Sequence, residues 1–180
     1  ANQAMNYLVS GTAPRRMGNV HPNICPYQTF ATADEQIVIA VGNHDQFVKL
    51  CDVLGLEEIG ADTRYASNEL RVANRDALCE ALQAAFSEWP RASLLEALAD
   101  VGVPAAPINS LAEVFADPQV QHRALQLQIP AAWAADGRIP GIRTPLKFSA
   151  TELDCSRPAP RLDEHRESIL AELYGENVDE

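Results

Sequence analysis

The residue types best suited to chemistry lie in one segment near the amino terminus, residues 14–30. This segment contains two arginines, a glycine, a histidine and three prolines. Gly18 can adopt backbone angles that other residues avoid, whereas each proline fixes φ and removes a hydrogen-bond donor. We therefore predict that the segment is irregular, and that it loses little conformational entropy when it orders against a ligand.

Two features of this loop could bind a polar group. The neutral imidazole of His21 could hydrogen-bond a carbonyl oxygen. The backbone N–H groups of Asn19, Val20 and Asn23 could stabilise a developing oxyanion. A structural role for His21, bonded to a backbone carbonyl, agrees equally well with the sequence.

The cysteines and histidines form no metal-binding pattern. The four cysteines lack a C-x-x-C pair, and the four histidines are widely dispersed, so we expect no metal site and no disulfide framework. Cys51 and Cys79 fall on apolar helix faces and are interpreted as buried small hydrophobes. A nucleophilic Cys25 would need a neighbouring base, and His21 is four residues away.

The charge of the chain excludes one class of partner. The 180 residues carry a formal net charge of −11, whereas nucleic-acid binding requires Lys and Arg to neutralise phosphates. No apolar run approaches the ~18 to 20 residues of a membrane span, and no basic and apolar leader is evident. We therefore expect a cytoplasmic protein with neither a nucleic-acid nor a membrane partner.

Hydrophobic periodicity and turn residues predict an α+β fold, a small antiparallel sheet with several helices, flanked by extended arms. Strands are predicted at 37–41 and 125–129, with 137–142 as a hairpin partner or a turn. Helices are predicted at 1–10, 45–54, 68–88 (capped by Asn68), 93–101 and 110–116, and from 117 and 163 onward. Residues 103–108 are predicted to be extended and 151–161 to form a linker, with a frayed tail after Gly175.

A series of short strings, in order along nearly the whole chain, resembles the class III CoA-transferases. This family includes formyl-CoA, carnitinyl-CoA and bile-acid CoA-transferases and the α-methylacyl-CoA racemases. The strings are GNVHPN at 18–23, PYQTF at 26–30, VGN at 41–43, RVANR at 71–75, GVPAAPIN at 102–109, DPQV at 117–120 and PLKFS at 145–149. The chain departs from the family at Asp163, where Gly more often precedes Glu-His.

The resemblance implies that this chain is the carboxy-terminal portion of such an enzyme, including its small domain. Family members transfer CoA between carboxylic acids through an aspartyl-CoA thioester, which is covalent catalysis by a carboxylate. The resemblance places that aspartate and most CoA contacts upstream of Ala1, so no catalytic residue is expected in this chain. Coenzyme A thioester is expected as a substrate, and no covalently bound cofactor is expected.

The resemblance also implies a role for the loop. In the family the corresponding loop is often glycine-rich and closes over the acyl group, and here it is stiffer. The residues expected to bind substrate are Gly18, Asn19, Val20, His21, Asn23 and Tyr27. Because an acidic chain repels CoA at long range, its site must be locally basic, and Arg15 and Arg16 are the expected contacts. Two solvated arginines before a turn are the alternative.

Three domains are predicted: 1–30, a linker helix and active-site loop; 31–130, a small α+β domain; and 131–180, a return linker and carboxy-terminal helix. The expected partners are acyl-CoA and carboxylate small molecules, and the resemblance implies an interlocked homodimer for the full-length protein. One alternative is a non-catalytic acyl-CoA-binding or assembly module that pairs with a separate large-domain chain. The others are the racemase branch of the family and a native start after removal of Met ahead of Ala1.

Overall fold

The computed structural model describes residues 2–175, which contain helices and two small antiparallel sheets. This combination confirms the predicted α+β class. Contacts divide the chain into two units, Ala1–Ile108 and Asn109–Glu180. The predicted domain boundaries at residues 30 and 130 follow a different criterion and stay a prediction. The predicted fraying after Gly175 lies outside the described residues.

The first unit contains a three-stranded sheet and most of the helices. Its elements are α1 (Asn2–Ser10), β1 (Tyr27–Ala31), β2 (Gln36–Ala40), α2 (His44–Val53), α3 (Glu57–Gly60), a 3₁₀ turn (Thr63–Tyr65), α4 (Asn68–Ala73), α5 (Arg75–Phe86), α6 (Arg91–Asp100) and β3 (Ala105–Pro107). Strand β2 lies between β1 and β3 and is antiparallel to both. The sheet is therefore built from one hairpin and a third strand that returns after the helices.

The core of this unit follows from the alternation of apolar residues in the strand β2 and from their helical period in α5. Alternation along β2 buries Ile37 and Ile39, and the helical period of α5 buries Leu78, Leu82 and Phe86. All five side chains belong to one cluster of buried residues. Removing each from water contributes roughly 1.5 to 3 kcal/mol. The sheet and α5 are thus held as one body that can support the loop 14–26.

The second unit contains α7 (Leu111–Ala116), α8 (Pro118–His122), β4 (Gln126–Pro130), β5 (Arg138–Ile142) and α9 (Arg166–Tyr174). Strands β4 and β5 form the predicted antiparallel hairpin. Within its described part, Ala131 and Ala171 are the buried hydrophobic residues, whereas Leu162 is fully exposed. This unit therefore presents most of its apolar side chains at its own surface.

Two predictions about the first unit are wrong. Residues 14–30 are not irregular throughout, because Tyr27–Ala31 forms β1 and pairs with β2 along its whole length. The helix predicted at 68–88 is two helices, α4 and α5, separated at Asn74, whose φ of −105° and ψ of 26° are not helical. Its cap is Ser67, whose hydroxyl accepts from the Leu70 amide at 3.3 Å. Asn68 has another role.

Predictions for the second unit fail at one helix start. The terminal helix begins at Arg166 instead of residue 163, because Asp163 has a φ of +67° and cannot continue a right-handed helix.

Short helix α3 and the 3₁₀ turn of the first unit were also not predicted. Elsewhere the predicted helices are confirmed to within a few residues, and Ser110 caps α7 with Glu113 in a capping box.

Candidate functional site

The candidate site is the loop between α1 and β1, and its first turn depends on glycine. Gly18 has a φ of +61°, and a Cβ added there would meet no atom within 4 Å. The need for glycine is therefore one of backbone conformation alone. The Asn19 side chain ties this turn to β1, because its Nδ2 donates to Thr29 Oγ1 at 2.6 Å. This geometry confirms the positive φ that the sequence suggested for Gly18.

The next part of the loop is held by its carbonyl groups. Arg75, the first residue of α5, directs Nη2 at three of them: His21 O at 2.9 Å, Ile24 O at 3.3 Å and Pro22 O at 3.4 Å. One guanidinium nitrogen thus binds the loop where the chain reverses toward β1. Hydrogen bonds that involve a charged group contribute more than neutral ones, about 1.5 to 3 kcal/mol each.

Two side chains of α4 bind the remaining carbonyls of this segment. Asn68 donates from Nδ2 to Asn23 O at 2.8 Å and accepts from the Cys25 amide at 3.2 Å. Arg71 donates from Nε to Cys25 O at 2.8 Å. Five consecutive carbonyls, 21–25, therefore accept hydrogen bonds from Asn68, Arg71 and Arg75. We call these three side chains the helix anchors.

Arg71 is the most deeply placed of the helix anchors. It is 1% exposed, lies over the Phe47 ring at 4.8 Å, and donates from Nη1 to Tyr65 O at 3.1 Å. Burial lowers the pKa of its guanidinium. Within residues 2–175 neither Arg71 nor Arg75 forms an ion pair with a carboxylate. Both guanidinium groups donate hydrogen bonds to backbone carbonyls instead.

His21 has a defined hydrogen-bonding arrangement. Its Nδ1 accepts from the Asn23 amide at 3.2 Å, and its ring stacks on Tyr27 with centroids 5.1 Å apart. An acceptor nitrogen carries no proton, so the neutral ring carries its proton on Nε2. Nε2 lies 3.1 Å from Nδ2 of Asn2 on α1, which is also a donor, so these two nitrogens can share a hydrogen bond only in the other tautomer. In the tautomer that the Asn23 amide favours, the single N–H donor of the ring faces Asn2, and it can reach a ligand carbonyl only when the Asn2 side chain turns away.

The three amides proposed to stabilise an oxyanion are not equivalent. The Val20 amide donates to Met17 O at 3.2 Å, and the Asn23 amide donates to His21 Nδ1. The Asn19 amide has no hydrogen-bond partner within residues 2–175. Two of the three donors are thus engaged inside the loop, and Asn19 is the one that remains to bind a ligand.

The predicted site residues are brought together in part. The His21 amide donates to Tyr27 O at 2.9 Å, which joins the loop to the start of β1. Gly18, Asn19, Asn23 and Tyr27 are exposed, and Val20 and His21 are half-buried. Arg15 and Arg16 are exposed and, in the described part of the chain, form no ion pair and no side-chain hydrogen bond. Their assignment to CoA stays a prediction.

Cys25 lies beneath the loop and is not placed as a nucleophile. Its side chain is fully buried, and its Sγ lies 3.9 Å from Sγ of Cys79. The hydrogen bond with Cys79, together with Arg75 and Arg71, lowers the pKa of the Cys25 thiol against the effect of burial. Cys79 is half-buried and its pKa is raised, chiefly by the same hydrogen bond. His21 binds other partners, and within residues 2–175 the thiol of Cys25 has its side-chain hydrogen bond with Cys79.

The helix anchors are the residues that sequence analysis missed. Leu78 and Leu82 form an apolar stripe on α5. In the sequence, Asn68, Arg71 and Arg75 precede them at the same spacing of three or four residues. Polar residues in an apolar stripe have to find hydrogen-bond partners when they become buried. A polar residue at an apolar position was therefore a signal in the sequence, because a buried arginine without a nearby carboxylate needs backbone carbonyls as hydrogen-bond acceptors.

Comparison with known proteins defines the class to which this chain belongs. The chain matches the family "CoA-transferase family III" over residues 1–166 and belongs to this family. It is 48% identical over 174 residues to the succinate–glutarate CoA-transferase of Agrobacterium fabrum, covering 96% of this chain and 43% of that protein. It is 36% identical over 170 residues to human succinyl-CoA:glutarate CoA-transferase, covering 94% and 38%.

A solved structure agrees with this assignment. The crystal structure of a CAIB/BAIF family protein from Brucella suis matches with a TM-score of 0.75 and 48% identity, covering 96% of this chain and 44% of that one. The chain thus spans less than half the length of the proteins it resembles and corresponds to a carboxy-terminal portion of them. No helix within residues 2–175 is long and apolar enough to cross a membrane.

Proposed function

We propose that this chain forms the acyl-group side of a CoA-transferase that exchanges CoA between small dicarboxylic acids. The observation that carries the proposal is the loop, which turns carbonyls 21–25 toward the helices, leaves the Asn19 amide as a donor and places His21 Nε2 beside the side chain of Asn2. Such donors suit an acyl carbonyl whose oxygen gains charge during transfer. The 48% identity to a succinate–glutarate CoA-transferase supports succinate and glutarate as the class of acids.

The reaction exchanges a thioester for a carboxylate. The nucleophilic carboxylate attacks the donor acyl-CoA, which forms an anhydride and expels CoA as a thiolate. The thiolate attacks the enzyme carbonyl of the anhydride and releases the donor acid, and the acceptor carboxylate then takes over the CoA by the same two steps in reverse. An aspartate outside this sequence is proposed as the nucleophile, and the aspartyl-CoA thioester as its intermediate. In this chain His21 donates from Nε2 to the acyl carbonyl, Tyr27 holds the imidazole by stacking, and Asn19 supplies a backbone donor.

The proposal extends to binding and assembly. Arg15 and Arg16 contact the phosphates of CoA, which is a substrate, and no covalently attached cofactor takes part. The full-length protein is a cytoplasmic homodimer. Exposed apolar side chains on α1 support assembly, since Leu8 is 73% and Val9 83% accessible in this chain alone and surfaces of this kind are usually covered by other protein.

Thioester exchange tests this function. We expect the isolated chain to exchange no CoA between succinyl-CoA and glutarate, because the residues that react lie elsewhere. We expect the full-length protein that contains this sequence to form glutaryl-CoA. Turnover by the isolated chain that survives repurification contradicts the placement of the nucleophile. Binding of acyl-CoA by the full-length protein without transfer supports the non-catalytic module, and epimerisation of a 2-methylacyl-CoA supports the racemase branch.

A further inference from the structure

We propose that Arg75, with Asn68, is a positioning residue for CoA transfer: by holding carbonyls 21–24 against the helices it fixes the direction in which His21 and the Asn19 amide face the acyl group. This inference rests on the proposed function. It assigns Arg75 no contact with substrate, because the guanidinium lies beneath the loop and acts through the backbone.

The geometry supports positioning over simple packing. Arg75 Nη2 lies 2.9 Å from His21 O, the carbonyl of the residue whose ring presents the donor. Asn68 binds Asn23 O and the Cys25 amide, and Asn23 in turn donates to His21 Nδ1. The same backbone that Arg75 and Asn68 hold therefore sets the tautomer and direction of the His21 ring. A tilt of the loop moves this donor directly.

The electrostatics make the contact between Arg75 and the loop specific. Because Arg75 has no carboxylate partner in the described part of the chain, the loop carbonyls are the acceptors that compensate its charge. Its Nη1 is buried and has no hydrogen-bond partner within residues 2–175. The Arg75 side chain as a whole is half-buried, and a buried N–H without a partner costs free energy. A lysine ammonium is a compact charge on a flexible stem and lacks the rigid plane that fixes Nη2 against the three carbonyls.

Gln83 on the same helix provides a matched control. Its Nε2 donates to Ala31 O at 2.8 Å and its Oε1 accepts from the Ala31 amide at 3.0 Å. Like Arg75, Gln83 connects α5 to backbone groups of another segment of the same chain. Unlike Arg75, it contacts the far end of β1 and none of the loop, so Gln83→Leu removes comparable hydrogen bonds without moving His21.

The experiment compares Arg75→Met, Arg75→Lys and Gln83→Leu in the full-length protein. We expect Arg75→Met to lower kcat for transfer about 10- to 100-fold, as a misplacement of about 1 Å does, with the KM for acyl-CoA changed less than about threefold. Arg75→Lys should recover part of this loss. Gln83→Leu should keep kcat within about twofold. Hydrogen exchange at the His21 and Cys25 amides should accelerate in Arg75→Met alone.

Each outcome decides between positioning and packing. Loss of Tm with unchanged kcat in Arg75→Met, or equal losses of kcat in Arg75→Met and Gln83→Leu, overturns the proposal. Should Arg75→Met not fold, Arg75→Lys decides, because a wild-type kcat together with faster hydrogen exchange at the His21 and Cys25 amides would show that releasing the loop does not impair transfer. If the wild-type protein transfers no CoA, the proposed function fails and this role with it. If it does transfer CoA, only the role of Arg75 is at stake.

Discussion

The two halves of the loop, residues 14–19 and 21–25, are held in opposite ways. In the second half every carbonyl accepts a hydrogen bond from the helix anchors. The first half depends on local features, the left-handed Gly18 and the tie from Asn19 to Thr29, and leaves Arg15 and Arg16 exposed. One half is therefore fixed by the fold, and the other is free to adapt to a ligand.

The difference shows what restrains a loop of this kind. Prolines limit the backbone angles in both halves, yet only the second half has its polar groups satisfied by side chains 43 to 54 residues away in sequence. Long-range hydrogen bonds to a rigid helix transmit the geometry of the core to the loop. Proline content alone does not distinguish the two halves.

Removal of the deepest helix anchor should have the largest effect on stability. Arg71→Ala deletes a buried side chain packed on Phe47 and leaves Cys25 O and Tyr65 O without their donors. We expect a loss of about 3 to 5 kcal/mol in the free energy of unfolding. Urea denaturation of the chain, with amide exchange to report on the first unit, measures this loss.

Arg64→Ala is the control for that prediction. Arg64 is near in sequence and pairs with Asp62 at 2.7 Å, but its side chain is 65% exposed. Exposed ion pairs contribute little, so we expect a loss below about 1 kcal/mol. Similar losses for Arg71→Ala and Arg64→Ala would show that the anchored half of the loop depends on something other than its carbonyl contacts.

A loss of stability between those of the two preceding variants is expected in the free half of the loop, residues 14–19. Gly18→Val forces a β-branched residue into a φ of +61°, at about 1 to 3 kcal/mol, although no neighbour obstructs the side chain. Gly55→Val is the control, because Gly55 has a φ of +68° and equal space at the end of α2. Both variants should lose similar stability in urea denaturation, whereas Gly18→Val alone should lower kcat of the full-length protein. Equal kcat values for Gly18→Val and Gly55→Val would contradict the assignment of the Gly18 turn to the functional site.

Sequence patterns predicted the frame of the fold well and the support of the site poorly. Strand β2 and helix α5 were predictable because local periods place Ile37, Ile39 and Leu82 on buried faces. The break at Asn74 was not, since it involves the Asn74 side chain, which donates to the carbonyls of Arg64 and Leu70. Strand β1 was hidden by the prolines that precede it.

The site itself was predictable only where chemistry is local. Gly18 and His21 stand out by residue type, and their turn and ring behave as those types require. The role of Arg75 depends on a contact with His21 O, 54 residues away, which no local pattern encodes. The same holds for Asn68, which looked like a helix cap and instead binds the loop.

The smallest effect on stability, with the most informative effect on function, is expected for His21→Ala. The side chain is half-buried, and its loss removes the stacking on Tyr27 and one acceptor for the Asn23 amide. Since the helix anchors hold the loop by its backbone, the Tm of the full-length protein should change little. If Nε2 donates to the acyl group, kcat and kcat/KM for CoA transfer should both fall. A lower Tm with unaltered kcat and kcat/KM would mean that His21 serves the fold and that its ring is not a donor used in catalysis.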